Sequence, residues 1–142
     1  MIPGAYPRLF LLVFIALSWT RNVSGYDEAD LQKLKETGSC LACDLSGVDL
    51  HAQDLKGVIL QRSNLIGANL SGCDLEKANL SWTFLMKADL SGANLEGGTL
   101  RGAYLSNANL SGGNLAGVDL WGSTYYHAKL EGIRGLEDNP TR

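Results

Sequence analysis

The side chains with the most direct chemistry in this chain are three cysteines and two histidines. Cys40 and Cys43 form a CxxC, the spacing of a redox-active dithiol, of half a zinc site, or of a short disulfide. Haem attachment would require a histidine directly after the second cysteine, and position 44 is Asp. Zinc would require further ligands, for which Cys73, His51 and His127 are the candidates. The many Asp residues recur at one fixed place in a repeat and do not pair as an acid and a base would in a cleft.

What must position these residues is a leucine that recurs every fifth residue between positions 45 and 130, replaced only at Tyr125. Seventeen of the eighteen places are Leu. A period of five suits neither common element: on a helix the leucines would wander around the axis, and on a straight strand they would change face at each repeat. The chain must therefore turn once per repeat. Calling the leucine position i, the unit from i−2 to i+2 reads small residue, Asp or Asn, Leu, polar residue, then usually Gly, as in Ala68-Asn69-Leu70-Ser71-Gly72 and Ala88-Asp89-Leu90-Ser91-Gly92. Apolar i−2 and i flank a polar i−1, the alternation of a short extended segment, and the Gly makes the corner.

These units resemble the consensus A(D/N)LXX of the pentapeptide-repeat family across residues 43–132. The resemblance implies an all-β fold, a right-handed quadrilateral β-helix in which four pentapeptides complete one coil. Eighteen units then make about four and a half coils, and with paired strands about 4.8 Å apart the column stands roughly 20 Å tall around a core one leucine ring thick. Threaded this way, Cys40 takes a leucine position and Cys43 an i−2 position, so both face inward at the first coil, where an oxidising compartment would close a disulfide between them. Cys73 replaces an inward alanine as a small buried hydrophobe. Cys43 and Cys73 fall on different sides and both histidines point outward, so neither a metal nor a cofactor is expected.

The flanks read differently. Residues 1–25 carry Arg8, an apolar run over 9–19 and the small residues of Val23-Ser24-Gly25, the pattern of an export signal cut after Gly25. Eleven apolar residues fall short of the roughly twenty that span a bilayer, so no membrane association is expected once the signal is removed. No cysteine stands just behind the run for lipid attachment. The protein is thus expected to be exported by a bacterium, to the periplasm or outside the cell, or to the thylakoid lumen if its host has one. Arg8 and Arg21 leave with the signal and no acid does, so 12 basic side chains become 10 against 15 acidic ones, a net −5. That charge argues against binding nucleic acid, which needs a basic surface.

Residues 26–38 hold Leu31 and Leu34 at helical spacing, acids first, lysines later and Gly38 as a stop, a short capping helix over the first coil. The solenoid is then expected over 39–132. The tail, 133–142, loses the period: Ile133 and Leu136 are expected to cover the other end, with Asn139-Pro140 frayed. Asn-Leu-Ser sequons at Asn69, Asn79 and Asn109 are by-products of the repeat.

Stacking every twentieth residue sorts the chain into four outer sides. Those centred on Leu50, Leu70, Leu90, Leu110 and on Leu55, Leu75, Leu95, Leu115 are conventional, with Asp49, Asn69, Asp89, Asn109, Lys129 and Asp54, Asp74, Asn94, Asn114 in their outward columns and Ser, Gly, Lys and Glu beside them. The other two adjoin and break the pattern. The Leu65 side displays Ile66, Phe84, Met86, Tyr104 and Tyr126 where polar residues belong, and the Leu60 side displays Ile59, Trp82 and Trp121 beside Arg62 and Arg101. A contiguous patch of Trp, Tyr and Arg has the composition of a binding surface, unless the helix or the tail folds back over it.

The expected function is therefore a noncatalytic scaffold whose aromatic double face binds a protein partner or forms a homodimer; such a surface could also hold a carbohydrate. One alternative is a thiol-disulfide redox protein using Cys40 and Cys43 at a helix end. Another comes from the family, whose best-understood members resemble duplex DNA and bind DNA gyrase. This chain departs from them in being short, in interleaving its carboxylates and in carrying an export signal.

Overall fold

The computed structural model describes residues 25–137 and 139–140, and all of the export segment but Gly25 lies outside them. From Ser39 to Asn114, each residue before a leucine place pairs in parallel with the residue twenty positions on: Ser39 with Ile59, Asp44 with Asn64, Asp49 with Asn69, Asp54 with Asp74, continuing up to Asn114 with Arg134. These pairs form four columns, one on each side of a four-sided coil. Three backbone hydrogen bonds join each side to the next coil. On the Leu65 side the Leu65 N–H donates to Phe84 O at 2.8 Å, the Gly67 N–H to Met86 O at 3.0 Å, and Asn64 N–H reaches back to Cys43 O at 2.8 Å.

The corners explain the five-residue grammar. Val48 N–H donates to Leu45 O at 3.2 Å and the third residue of that turn, Gly47, has φ +66°, the type II pattern that favours glycine. Among the described residues, eight that are not glycine take the same left-handed conformation, Arg62, Trp82 and Lys87 among them. The Asp or Asn at i−1 caps the turn through its side chain: Asn69 Oδ1 accepts from Ser71 N–H at 3.2 Å and from Ser71 Oγ at 2.7 Å. The same carboxamides bond along the column, Asn64 Nδ2 to Asp44 at 3.2 Å, Asn94 to Asp74 at 3.3 Å and Asn109 to Asp89 at 3.2 Å. Alternating donors with acceptors separates like charges along these columns, except where Asp54 pairs with Asp74, beside which the Lys56 ammonium stands at 3.2 Å.

Inside, the leucines from Leu60 to Leu110 are completely or almost completely buried, with the i−2 alanines filling the corners between them. Each buried leucine contributes on the order of 1.5–3 kcal/mol. Helix α1, Glu28–Thr37, closes the first coil. Asp27 caps it by accepting from Ala29 and Asp30 N–H, and Gly38 at φ 65° ends it. Its Leu31 and Leu34 join the same apolar cluster as Cys40 and Leu45. Polar bonds fix its seat: Asp44 N–H donates to the Asp30 carboxylate at 2.8 Å, and Asp27 N–H to Asp44 O at 2.9 Å.

The far end is built otherwise. Ile133 and Leu136 are partly buried against the core. Asn139 is not frayed as expected: it is buried, and its Nδ2 donates to Val118 O at 2.7 Å. The physical reason is a carbonyl at the edge of the last coil that needs a donor and finds it in the tail. Above Leu105, Leu110, Leu115 and Leu120 the next ring is incomplete, because its leucine places hold Tyr125, Leu130, Gly135 and Pro140. A cavity of about 200 Å³ remains there, bounded also by Leu136. Among the described residues no helix is long and apolar enough to cross a membrane.

Candidate interaction surface

The cysteine pair is a closed, buried tie. Cys40 and Cys43 are joined by a disulfide across the first corner, with Cα atoms 5.5 Å apart, and both are buried. Ser63 from the coil above locks that corner, accepting from Cys43 N–H at 3.0 Å and donating to Cys40 O at 2.6 Å. Among the described residues, Asp30, Cys40 and Cys43 bring three potential metal-ligand atoms within 4.8 Å, but two of them are disulfide sulfurs and offer no thiolate. Cys73 is a buried free thiol donating to Leu50 O at 2.9 Å. Burial pushes its pKa up, away from the reactive thiolate. His51 and His127 are both exposed, on the Leu50 side and at the corner between the Leu65 and Leu50 sides.

The aromatic residues occupy outward positions on the two adjoining sides. Ile59, Ile66, Trp82, Phe84, Tyr104, Trp121 and Tyr126 are all exposed, Tyr126 by 73%, while Met86 is half-buried. Phe84 and Tyr104 stack as neighbours in one column, ring centroids 5.3 Å apart and planes 10° from parallel. Arg101 lies over the Trp121 ring, 4.8 Å from its centroid, and donates from Nε to Asp119 at 3.1 Å. The Trp121 N–H and the Arg101 guanidinium together hold the Asp119 carboxyl below its usual range against the opposing effect of burial. Arg62 stands on the corner between the two sides.

Trp82 stands on that corner too, one coil higher, at φ 61°. Its ring lies across Gly102: a Cβ on Gly102 would come within 2.3 Å of Trp82 Cε3. Glycine at 102 is therefore the seat of the indole. Sequence reasoning missed this pairing, although both residues occupy the same corner position twenty apart. It also missed Leu41, 55% exposed, and Tyr125, 43% exposed. Leu41 was legible, since it follows Cys40 in the outward column of Arg101 and Trp121. Neither helix α1 nor the described tail covers the patch: the helix packs on the end of the first coil, and the tail runs beside residues 116–119.

These side chains displace something. At Ile59, Phe84 and Tyr104 the i−1 residue has no carbonyl oxygen or carboxylate with which to cap the following turn, as Asn64 does for Ile66 N–H at 3.1 Å. Ion pairs occur on both halves, Lys56 to Asp74 at 3.2 Å and Lys77 to Glu76 at 3.5 Å on the polar one and Arg101 to Asp119 at 3.1 Å on the aromatic one, while Arg62, Lys87 and Lys129 make none among the described residues.

The family model for pentapeptide repeats matches eight copies over residues 43–81 and 85–122. A pentapeptide repeat protein from the thylakoid lumen of Arabidopsis thaliana is similar in structure, with TM-score 0.67 and 32% identity over 74% of this chain and 70% of that one. Rfr23, a pentapeptide repeat protein of the cyanobacterium Cyanothece 51142, shares 31% identity over 74% of this chain and 92% of its own, at TM-score 0.45. Among proteins of curated function no match was found. With a corner every five residues, a twenty-residue parallel pairing and a repeat model matching more than half its length, this chain belongs to the pentapeptide-repeat family.

Proposed function

We propose that this protein is a noncatalytic, exported scaffold that binds a protein partner, or a second copy of itself, through the aromatic double face of Ile59, Arg62, Ile66, Trp82, Phe84, Met86, Arg101, Tyr104, Trp121 and Tyr126. The observation that carries the reading is the exposure of these side chains on two adjoining sides of a solenoid whose other two sides are polar. A contiguous exposed patch of aromatic residues with arginine has the composition of a protein contact. A sugar would stack on free ring faces; Phe84 and Tyr104 cover one another and Arg101 covers Trp121, which favours a protein. Export, and the right-handed winding the family implies, belong to the same proposal. The similarity to a thylakoid-lumen protein agrees with a destination outside the cytoplasm.

The test is replacement of Trp82, Phe84 and Tyr104 by Ser, followed by recovery of partners from the exported compartment and by sedimentation. Loss of partner or of self-association supports the reading. Unchanged recovery and unchanged mass would sink it. The redox alternative keeps one observation in its favour, the disulfide itself; a pair that resists reduction in the native protein under thiol titration would close that alternative.

A further inference from the structure

Each coil offers the next a fixed set of backbone groups. On every side the N–H groups at i and i+2 donate upward to the carbonyls at i−1 and i+1 of the next coil, and the carbonyl at i−2 accepts from its i−1 N–H. At the C-terminal end the tail runs along residues 116–119, beside the Leu55 and Leu60 sides. The other two sides are left with this set unused. Among the described residues, Tyr125, His127, Leu130 and Gly132 N–H find no acceptor and Ser123 and Ala128 O no donor. Directly inside this edge lies the 200 Å³ apolar cavity, where the leucine ring is incomplete. Tyr125 and Leu130 at its rim are substantially exposed.

We infer that this edge binds, in trans, an extended polypeptide segment that runs parallel to residues 123–132 and carries two aliphatic side chains five residues apart. Laid on as a further half-coil, such a segment would repeat the pairing found between every pair of coils, making all six hydrogen bonds, and would turn its aliphatic side chains into the cavity. The polarity of the edge selects this occupant over a second copy of the same end. Four donors stand there against two acceptors, so two such ends meeting about a twofold axis would set eight donors against four acceptors and leave donors unpaired. A parallel strand brings the missing acceptors. The inference is independent of the aromatic double face, and the two can fail separately.

The probe is a synthetic decapeptide with the sequence of residues 103–112, which runs over the same two sides one coil below. Titrated into the full chain and followed by amide resonances and hydrogen exchange, it should bind saturably and slow exchange at Tyr125, His127, Leu130 and Gly132 by tenfold or more. Replacing both of its leucines by Asp should weaken binding at least tenfold, as should Leu130→Asp at the rim; the peptide-side change keeps the test valid if that variant folds poorly. No saturable binding at millimolar peptide, equal binding of a scrambled decapeptide, or an end-to-end dimer that protects the same amides without peptide would overturn the inference.

Discussion

The two halves of this solenoid's circumference share one leucine core and one corner geometry and differ most outside, the inward differences being the Cys40–Cys43 disulfide, Ser63 and Thr83 on the aromatic half. On the Leu50 and Leu55 sides nearly every leucine is preceded by Asp or Asn, which caps its own turn and in several places bonds to the coil below or above. On the Leu60 and Leu65 sides Ile59, Phe84 and Tyr104 forgo that capping bond and stand in solvent. The polar half is what the fold alone requires. The aromatic half lacks that capping bond at several places at once, a departure that the proposed contact with another molecule would explain.

The largest effects should show what the halves have in common. Leu85→Ala beneath the aromatic side and Leu90→Ala beneath the polar side each remove a fully buried side chain, and each should cost about 3 kcal/mol in denaturant unfolding. A clear inequality between them would mean that the halves differ in their cores. Next comes the corner. Gly92→Ala meets open space at φ +66° and should cost about 1–2 kcal/mol for the left-handed backbone alone. Gly102→Ala carries the same backbone penalty and also strikes the Trp82 ring. It should cost about 1–2 kcal/mol more, in the range typical of overpacking, and the excess should vanish in a Trp82→Ser background.

Smaller still is the turn cap. Ile59→Asn restores an acceptor for the following turn and loses no ring stack, so unfolding should become harder by about 0.5–1 kcal/mol. The smallest effect comes from pH. Asp119 is held below its usual range by the Trp121 N–H and Arg101, and Asp74 likewise by the Glu76 N–H and Lys56, in both cases against burial. A depressed carboxyl means that the unfolded chain binds protons first as pH falls. The stability these groups contribute should be complete above the unfolded value of about 3.9 and disappear through the acid range below it. Thermal melts at pH 7 and pH 5 should therefore differ little, and a melt near pH 3 should be lower.

The period of five gave away the inward residues and the corner positions, and the four outer columns followed once the family resemblance implied four repeats to a coil. The place of Cys40 in the first coil followed from the same register. What stayed hidden depended on side-chain detail that a period does not carry. Turn capping by the i−1 carboxamides explains why Asp and Asn recur, yet the sequence alone allows them to be mere polar surface. The seating of Trp82 on Gly102 needed a ring orientation. Asn139 looked like a frayed end beside a proline until the carbonyl of Val118 supplied it with a partner.

The double variant Phe84→Asn, Tyr104→Asn sets fold against binding most directly. It restores two turn caps, each a net contribution of about 0.5–1.5 kcal/mol, and gives up one ring stack of about the same size. Its unfolding midpoint and its association, read by partner recovery and sedimentation, should be measured on the same preparation. The unfolding free energy should lie within about 1 kcal/mol of the parent's or above it, with association lost. A protein several degrees less stable that still binds would contradict it, placing the aromatic column in the service of the fold.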